Sequence, residues 1–189
     1  MMIALFSNIP SGDKRTLDFV AGDLLFRQGE RTRGLFLVER GAVQLVRNGP
    51  AGEKVVLHRS QSGECFAEAS VFADRYHCDA IAAEASRVIL IGRQAILAAF
   101  ADPEFSRSFN QHLARQLQQQ RHILEIVAIR SAEDRVFAGL LAGLLKGTVI
   151  DFAATLHLSH EATYRALRSL TGKGVVRRPG RGRYEIAVR

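Results

Sequence analysis

Between positions 17 and 92 the chain alternates short apolar runs with glycine-containing and charged turns. Gly34-Leu35-Phe36-Leu37-Val38-Glu39-Arg40-Gly41 is followed by Ala42-Val43-Gln44-Leu45-Val46-Arg47, and Lys54-Val55-Val56-Leu57-His58 comes after Asn48-Gly49-Pro50-Ala51-Gly52. Asn-Gly-Pro between two apolar runs predicts a turn, and Gly41 predicts a tight connection. With further runs at 79–83 and 88–91, the segment reads as about seven or eight short strands. Strands spaced this evenly predict an antiparallel barrel or sandwich, best described as a jelly roll.

The period changes near Arg93. Residues 94–100 predict a short helix, and Asp102-Pro103-Glu104 opens a second with a capping side chain and proline at the first helical position. No Gly or Pro follows until Gly139. Leu113, Leu117, Gln120, Leu124 and Val127 keep the 4-3-4-3 spacing of a coiled-coil seam, with Gln120 as its polar member. A helix of about 28 residues is roughly 42 Å long. Such a helix packs on its own barrel or pairs with a second copy of itself. Its length favours pairing, which makes those five residues the expected dimer interface. Residues 132–145 carry a further helical stripe, Val136, Leu140, Leu141, Leu144 and Leu145, expected to end at Gly147.

From Val149 to Leu170 the pattern is two helices joined by a short turn. Ala153 and Ala154 are small enough for helices to approach, and Leu156 and Leu158 are apolar turn residues. Ser159 can cap the second helix through its hydroxyl, while Ala162, Ala166, Leu167 and Leu170 can anchor it. This is the arrangement a helix-turn-helix needs. The opposite face offers His160, Glu161, Tyr164, Arg165 and Arg168. Glu161 and Arg165 are four apart, so they share a face near the helix N-terminus, the end of a recognition helix that meets base edges. Arg can donate two hydrogen bonds to guanine and Glu can accept from the cytosine amino group. An exposed i,i+4 ion pair is an equally compatible use of the two residues. The stretch Gly172–Val188 then reads as strand, Gly/Arg-rich turn and strand, a wing whose Arg177, Arg181 and Arg183 are expected along phosphates.

Charge sharpens this division. The net charge is +7, and residues 131–189 hold 10 Lys+Arg against 5 Asp+Glu, whereas residues 1–101 hold 12 against 11. A basic module on a nearly neutral body points to a polyanionic partner. Hydrophobic residues at 47% and charged residues at 24% are those of a globular protein. No apolar run reaches the roughly 20 residues of a membrane span, and Met1-Met2-Ile3-Ala4-Leu5-Phe6 lacks the basic start of a signal peptide. A cytoplasmic protein without membrane contact is expected. Its two cysteines, Cys65 and Cys78, are too few for a cysteine-ligated iron–sulfur cluster or a four-cysteine zinc site. Paired carboxylates in one context, a nucleophile with a base at sensible spacing, a phosphate-cradling loop and a histidine-rich metal motif are all wanting. An enzyme or a metal site is not expected.

Taken with the long helix and winged motif, three sensor segments make the chain resemble the catabolite activator/fumarate–nitrate regulator (CRP/FNR) family over nearly its whole length. These are Ala21-Gly22-Asp23-Leu24-Leu25-Phe26-Arg27-Gln28-Gly29-Glu30, Leu35-Phe36-Leu37-Val38-Glu39-Arg40-Gly41-Ala42-Val43, and Ser62-Gly63-Glu64-Cys65-Phe66-Ala67-Glu68-Ala69-Ser70-Val71-Phe72. The resemblance implies an α+β protein with a cyclic-nucleotide-binding-like sensor domain at 1–100. A dimerisation helix at 101–130 and a winged helix-turn-helix DNA-binding domain at 131–189 follow. It also implies a homodimer on a roughly palindromic double-stranded DNA site, an effector in the barrel that reorients the DNA-binding domains, and RNA polymerase as a partner if the protein activates. Glu161 and Arg165 fall on the family's base-reading positions, and His160 falls where an arginine is common.

The effector pocket departs from the family pattern. Members that bind cyclic nucleotides carry Arg-Ser about ten residues after the Gly-Glu of the phosphate loop, and those places here are Cys78 and Asp79. A carboxylate there repels a phosphate. Glu68 keeps the place of a ribose contact, and Arg75 and His77 lie near enough to shift into position. The cysteine group by which oxygen-sensing members hold an iron–sulfur cluster is missing. The effector is therefore expected not to be cyclic AMP, and its identity stays open. Haem ligation by His77 or a cysteine, redox chemistry of Cys65 and Cys78, an ordinary packing role for these residues, a non-phosphorylated ligand and no ligand at all are the alternatives. A cyclic-nucleotide-binding signalling module acting through a protein partner is the competing function.

Overall fold

The computed structural model describes residues 5–49, 52 and 54–187. The Pro50-Ala51 part of the expected turn, the start of the N-terminal segment at Met1–Ala4 and the end of the last expected strand at Val188 lie outside the described residues. The chain divides into two compact units, with the division between Ala114 and Arg115.

Among the described residues, the first unit holds eight strands in two antiparallel four-stranded sheets. They are β1 (Lys14–Phe19), β2 (Leu24–Phe26), β3 (Gly34–Arg40), β4 (Ala42–Asn48), β5 (Lys54–Gln61), β6 (Cys65–Phe66), β7 (Asp79–Ala82) and β8 (Ser86–Gly92). The strand orders are β1-β8-β3-β6 and β2-β7-β4-β5, so neighbours in space are mostly distant in sequence, as in a jelly roll. A 3₁₀ helix, Glu68–Phe72, follows β6.

The run Leu35-Phe36-Leu37-Val38 on β3 is apolar without alternation because both faces of that strand are covered. All four residues are at most 2% exposed. Phe36 and Val38 face the interior between the sheets, with Phe26, Phe66 and Tyr76. There Phe26 stacks on Tyr76 at a centroid distance of 3.7 Å and Phe36 on Phe66 at 5.0 Å. Leu35 and Leu37 face the other way, onto Ile91, Ile96, Phe105 and Phe109. Ile96 belongs to α1 (Arg93–Ala99), and Phe105 and Phe109 to α2 (Pro103–Val127). A strand buried on both faces reads as a continuous apolar segment.

Helix α2 starts at the proline the sequence singles out, and Oδ1 of Asp102 accepts a hydrogen bond from the Glu104 N–H at 2.9 Å. Phe105, Phe109 and the partly buried Leu113 pack on the core of the first unit. Later apolar positions do not share this cover: Leu117 is 53% and Leu124 67% exposed, while Gln120 and Val127 are half-buried.

The second unit contains α3 (Ala132–Leu141), α4 (Val149–Thr155), α5 (His160–Gly172), β9 (Val176–Gly180) and β10 (Arg183–Ile186). The stripe at 132–145, expected as one helix ending at Gly147, is helical only as far as Leu141. The helix stops there because Gly143 takes a left-handed φ of 66°. The N–H of Gly143 then bonds the Leu140 carbonyl and that of Leu144 the Gly139 carbonyl, the paired bonds of a glycine-terminated helix end. Leu144 and Leu145 still pack on the core, which is why the apolar stripe runs past the end of the helix. Val136, Leu140, Phe152, Leu156, Leu167 and Leu170 form that core.

Gly41 connects β3 to β4 as expected, at φ 87°. A Cβ built there comes within 2.5 Å of the Ala85 carbonyl oxygen and 2.4 Å of Ser86 Oγ, which itself accepts from the Ala42 N–H at 3.0 Å. Gly41→Ala should therefore destabilise the protein by about 2–3 kcal/mol. Urea unfolding followed by circular dichroism measures this, and a change below about 0.5 kcal/mol would refute the close approach.

Candidate nucleic-acid interface

Helix α4 begins with a reciprocal cap: the Thr148 hydroxyl accepts from the Asp151 N–H at 3.0 Å, and the Asp151 carboxylate accepts from the Thr148 N–H. Its other end turns sharply at His157, a non-glycine residue at φ 53°. The His157 N–H bonds the Ala154 carbonyl and the Leu158 N–H bonds the Ala153 carbonyl. Between them these bonds close the helix and aim the chain into α5. Leu156 is fully buried and Leu158 half-buried, so the turn is held by its apolar residues.

Ser159 caps α5, its Oγ accepting from the Ala162 N–H at 3.2 Å. One face of α5 is buried through Thr163, Ala166, Leu167 and Leu170. Thr163 was not singled out by sequence pattern. It satisfies its hydroxyl locally, by donating to the Ser159 carbonyl at 3.0 Å. A threonine hidden by this backbone bond gives a weaker apolar signal than the leucines. The opposite face carries His160, Glu161, Tyr164, Arg165 and Arg168, all exposed.

Strands β9 and β10 form the hairpin that follows, joined by Arg181 and Gly182. Arg177 is drawn into the hairpin itself, its Nη2 lying 2.9 Å from Glu185 Oε2 across the strands. Arg178 lies over the Tyr184 ring at 5.6 Å. Arg181 and Arg183 stand exposed at and beside the tip. The sequence pattern groups Arg177 with the other arginines. Cross-strand pairing assigns it partly to shaping the hairpin.

In the first unit, the four candidate pocket residues separate into different settings. His77 is exposed, and its carbonyl accepts from Arg47 Nε at 2.7 Å. Cys78 is buried, and burial pushes its thiol up against the opposing pull of Arg47. Asp79 accepts from the Gln28 N–H at 2.7 Å. Arg75 donates to the Gly29 carbonyl at 2.6 Å. Glu68 engages a different pair: Oε1 is 2.8 Å from His112 Nε2 and 3.3 Å from Cys65 Sγ, and Cys65 Sγ is 3.3 Å from His112 Nε2. Burial of Glu68 disfavours its charge, but hydrogen bonds from His112, its own backbone and Cys65 hold the carboxyl below the usual range. Burial and the neighbouring Glu68 push the Cys65 thiol well above its ordinary value. His112 stands 44 residues from Glu68, and no spacing in the sequence connects them.

The first unit is thus a jelly roll, and the second carries a helix-turn-helix followed by a basic hairpin. The cyclic nucleotide-binding domain family matches residues 16–102. The "Cyclic AMP receptor protein" of Thermus thermophilus is 30% identical over 165 residues, covering 82% of this chain and 76% of that protein. Among solved structures, that of FixK2 from Bradyrhizobium japonicum is similar with a TM-score of 0.80, at 20% identity and 93% coverage of each chain. The Thermus thermophilus Catabolite Activator Protein is similar with a TM-score of 0.54, at 27% identity over 96% of this chain and 92% of that one. The chain belongs to the CRP/FNR family of transcriptional regulators. Among the described residues, no helix is long and apolar enough to cross a membrane.

His157 holds a left-handed conformation that disfavours side chains with a Cβ. His157→Gly should stabilise the second unit by about 0.5–1 kcal/mol, relief of the left-handed strain outweighing the added entropy of the unfolded chain. Thermal unfolding of wild type and variant measures it, and a lower melting temperature in the variant would contradict the turn geometry.

Proposed function

We propose that this protein is a sequence-specific DNA-binding regulator acting as a homodimer on a roughly palindromic site. The observation that carries the reading is the division of α5 into a buried apolar face and an exposed face bearing Glu161 and Arg165, followed by an arginine-tipped hairpin. Such a helix can enter a major groove by its N-terminal turns. Arg165 and Glu161 read base edges, helped by His160, Tyr164 and Arg168, while Ser159 sets the angle of entry through its cap. Arg181 and Arg183, with Arg177, lie along phosphates and add affinity without reading sequence.

The domain assignment follows: a sensor at 1–100, a dimerisation helix at 101–130 and a DNA-binding domain at 131–189. Exposure of Leu117 and Leu124 on α2 supports the pairing, since large apolar side chains in register otherwise stay in water. A cytoplasmic location suits such a protein. RNA polymerase is the further partner if it activates.

The barrel does not take cyclic AMP as its effector. A cyclic phosphate needs a cation in the pocket, and Cys78 and Asp79 occupy those places. Arg47 and Arg75 are bonded to the backbone carbonyls of His77 and Gly29. The rings of Phe26, Tyr76, Phe36 and Phe66 stack in the barrel's interior.

Arg165→Ala should lose about 1–3 kcal/mol of discrimination at one base pair, read by competition between duplexes. Arg181→Ala should weaken all duplexes alike and flatten the slope of log affinity against log salt by about one. If changing the half-sites leaves wild-type affinity unaltered, sequence reading by α5 is wrong. Leu124→Glu should yield monomers by sedimentation and abolish tight operator binding; a mass equal to that of the wild-type dimer would refute the seam.

A further inference from the structure

We propose that Cys65, Glu68 and His112 together bind a divalent cation of the zinc class. The three residues come from three different elements, β6, the 3₁₀ helix after it and α2, yet they present one ligand atom each to a common point. Edges of the triangle are 2.8 Å for His112 Nε2 to Glu68 Oε1 and 3.3 Å for each of the two contacts to Cys65 Sγ. From zinc bond lengths, a tetrahedral site places oxygen and nitrogen ligands about 3.3 Å apart and either of them about 3.6 Å from sulfur. The cluster needs to open by only ~0.5 Å or less to take the ion at its centre.

The donor set chooses the class of metal. A thiolate, an imidazole and a carboxylate are the three protein ligands of zinc chemistry. Calcium and magnesium ask for oxygen ligands in larger number, and sulfur and ring nitrogen disfavour both. Charge points the same way. With Cys65 as thiolate and Glu68 as carboxylate, a divalent ion makes the buried site neutral, whereas a monovalent ion leaves a net charge in a region where Glu68 is 7% exposed.

Proton balance is simple. The Cys65 thiol gives its proton to solvent as the ion enters, forming the metal–sulfur bond; the Nε2 proton that neutral His112 donates to Glu68 passes through solvent to Nδ1, so that Nε2 and the Glu68 carboxylate each supply a lone pair. Three protein ligands leave one tetrahedral position for water or an exogenous ligand. The bound ion would fasten β6 and the 3₁₀ helix to α2 within the first unit. This names a ligand class for the sensor of the proposed regulator. It is read without DNA, so its failure and that of the DNA reading are separable.

The test uses the full chain, reduced, stripped with chelator and titrated with cobalt(II) as the spectroscopic stand-in for zinc. One equivalent per chain should produce a near-ultraviolet thiolate-to-cobalt charge-transfer band and the visible bands of four-coordinate cobalt, both removed by added zinc. Cys65→Ser should abolish the charge-transfer band. Glu68→Gln and His112→Gln should each weaken cobalt binding more than tenfold, with far-ultraviolet circular dichroism showing that each variant is folded. Zinc should also raise the melting temperature of the wild type, a readout that needs no variant. Wild-type protein that takes up no cobalt with a thiolate band overturns the proposal, as does a band that survives Cys65→Ser and vanishes in Cys78→Ser.

Discussion

Burial of β3 on both faces organises the first unit. Phe36 and Val38 close the space between the sheets, and Leu35 and Leu37 require a second apolar layer outside. That layer is supplied by α1 and the opening turns of α2, through Ile96, Phe105 and Phe109. At roughly 25 cal/mol per Å² of apolar surface removed from water, each of these large side chains contributes on the order of 2 kcal/mol to keeping the layers together. Helix α2 is thereby fixed to its own barrel at its start, and its later apolar positions, Leu117 and Leu124, are left uncovered. Core packing thus takes up the N-terminal turns of this helix, and Leu117 and Leu124 beyond them stay exposed.

The same two-sided burial explains the polar cluster. On β6, Phe66 points into the barrel and Cys65 into the helix-covered layer, as alternate residues of a strand must. The 3₁₀ helix then brings Glu68 back to the same layer, where His112 arrives one residue ahead of Leu113 on α2. An isolated buried carboxylate would be neutralised by its surroundings. Here the hydrogen bonds from His112 and Cys65 outweigh burial and keep it charged. Asp79 is served separately, by a backbone N–H. Glu68 and Asp79 are thus held by partners of different chemistry.

In the second unit, precision of α5 comes from its neighbours. Gly139 on α3 lets Phe152 and Leu156 approach so closely that a Cβ at that position would lie 3.0 Å from their side chains. Arg135 adds bonds from its guanidinium to the Ile129 and Leu156 carbonyls, tying the start of α3 to the turn of the helix-turn-helix. The hairpin is stiffened by the Arg177–Glu185 pair and by Arg178 over Tyr184. These contacts hold a platform whose outer face and arginine tip remain in solvent.

The β-to-α change near Arg93, the proline start of α2, the two helices around Ser159 and the hairpin after them were legible in the amino-acid sequence. Each depends on a period, a cap or a turn residue within a few positions of itself, so local chemistry determines it. Even so, one helix end was missed. Leu144 and Leu145 continue the apolar stripe of α3, and only the packing of the chain after Gly143 distinguishes a buried loop from a helix. Cross-strand pairing of Arg177 and the meeting of Cys65, Glu68 and His112 lay wholly beyond sequence pattern. They join residues through sheet order and helix docking, which arise from burying surface across long stretches of chain, and no spacing along the sequence encodes them.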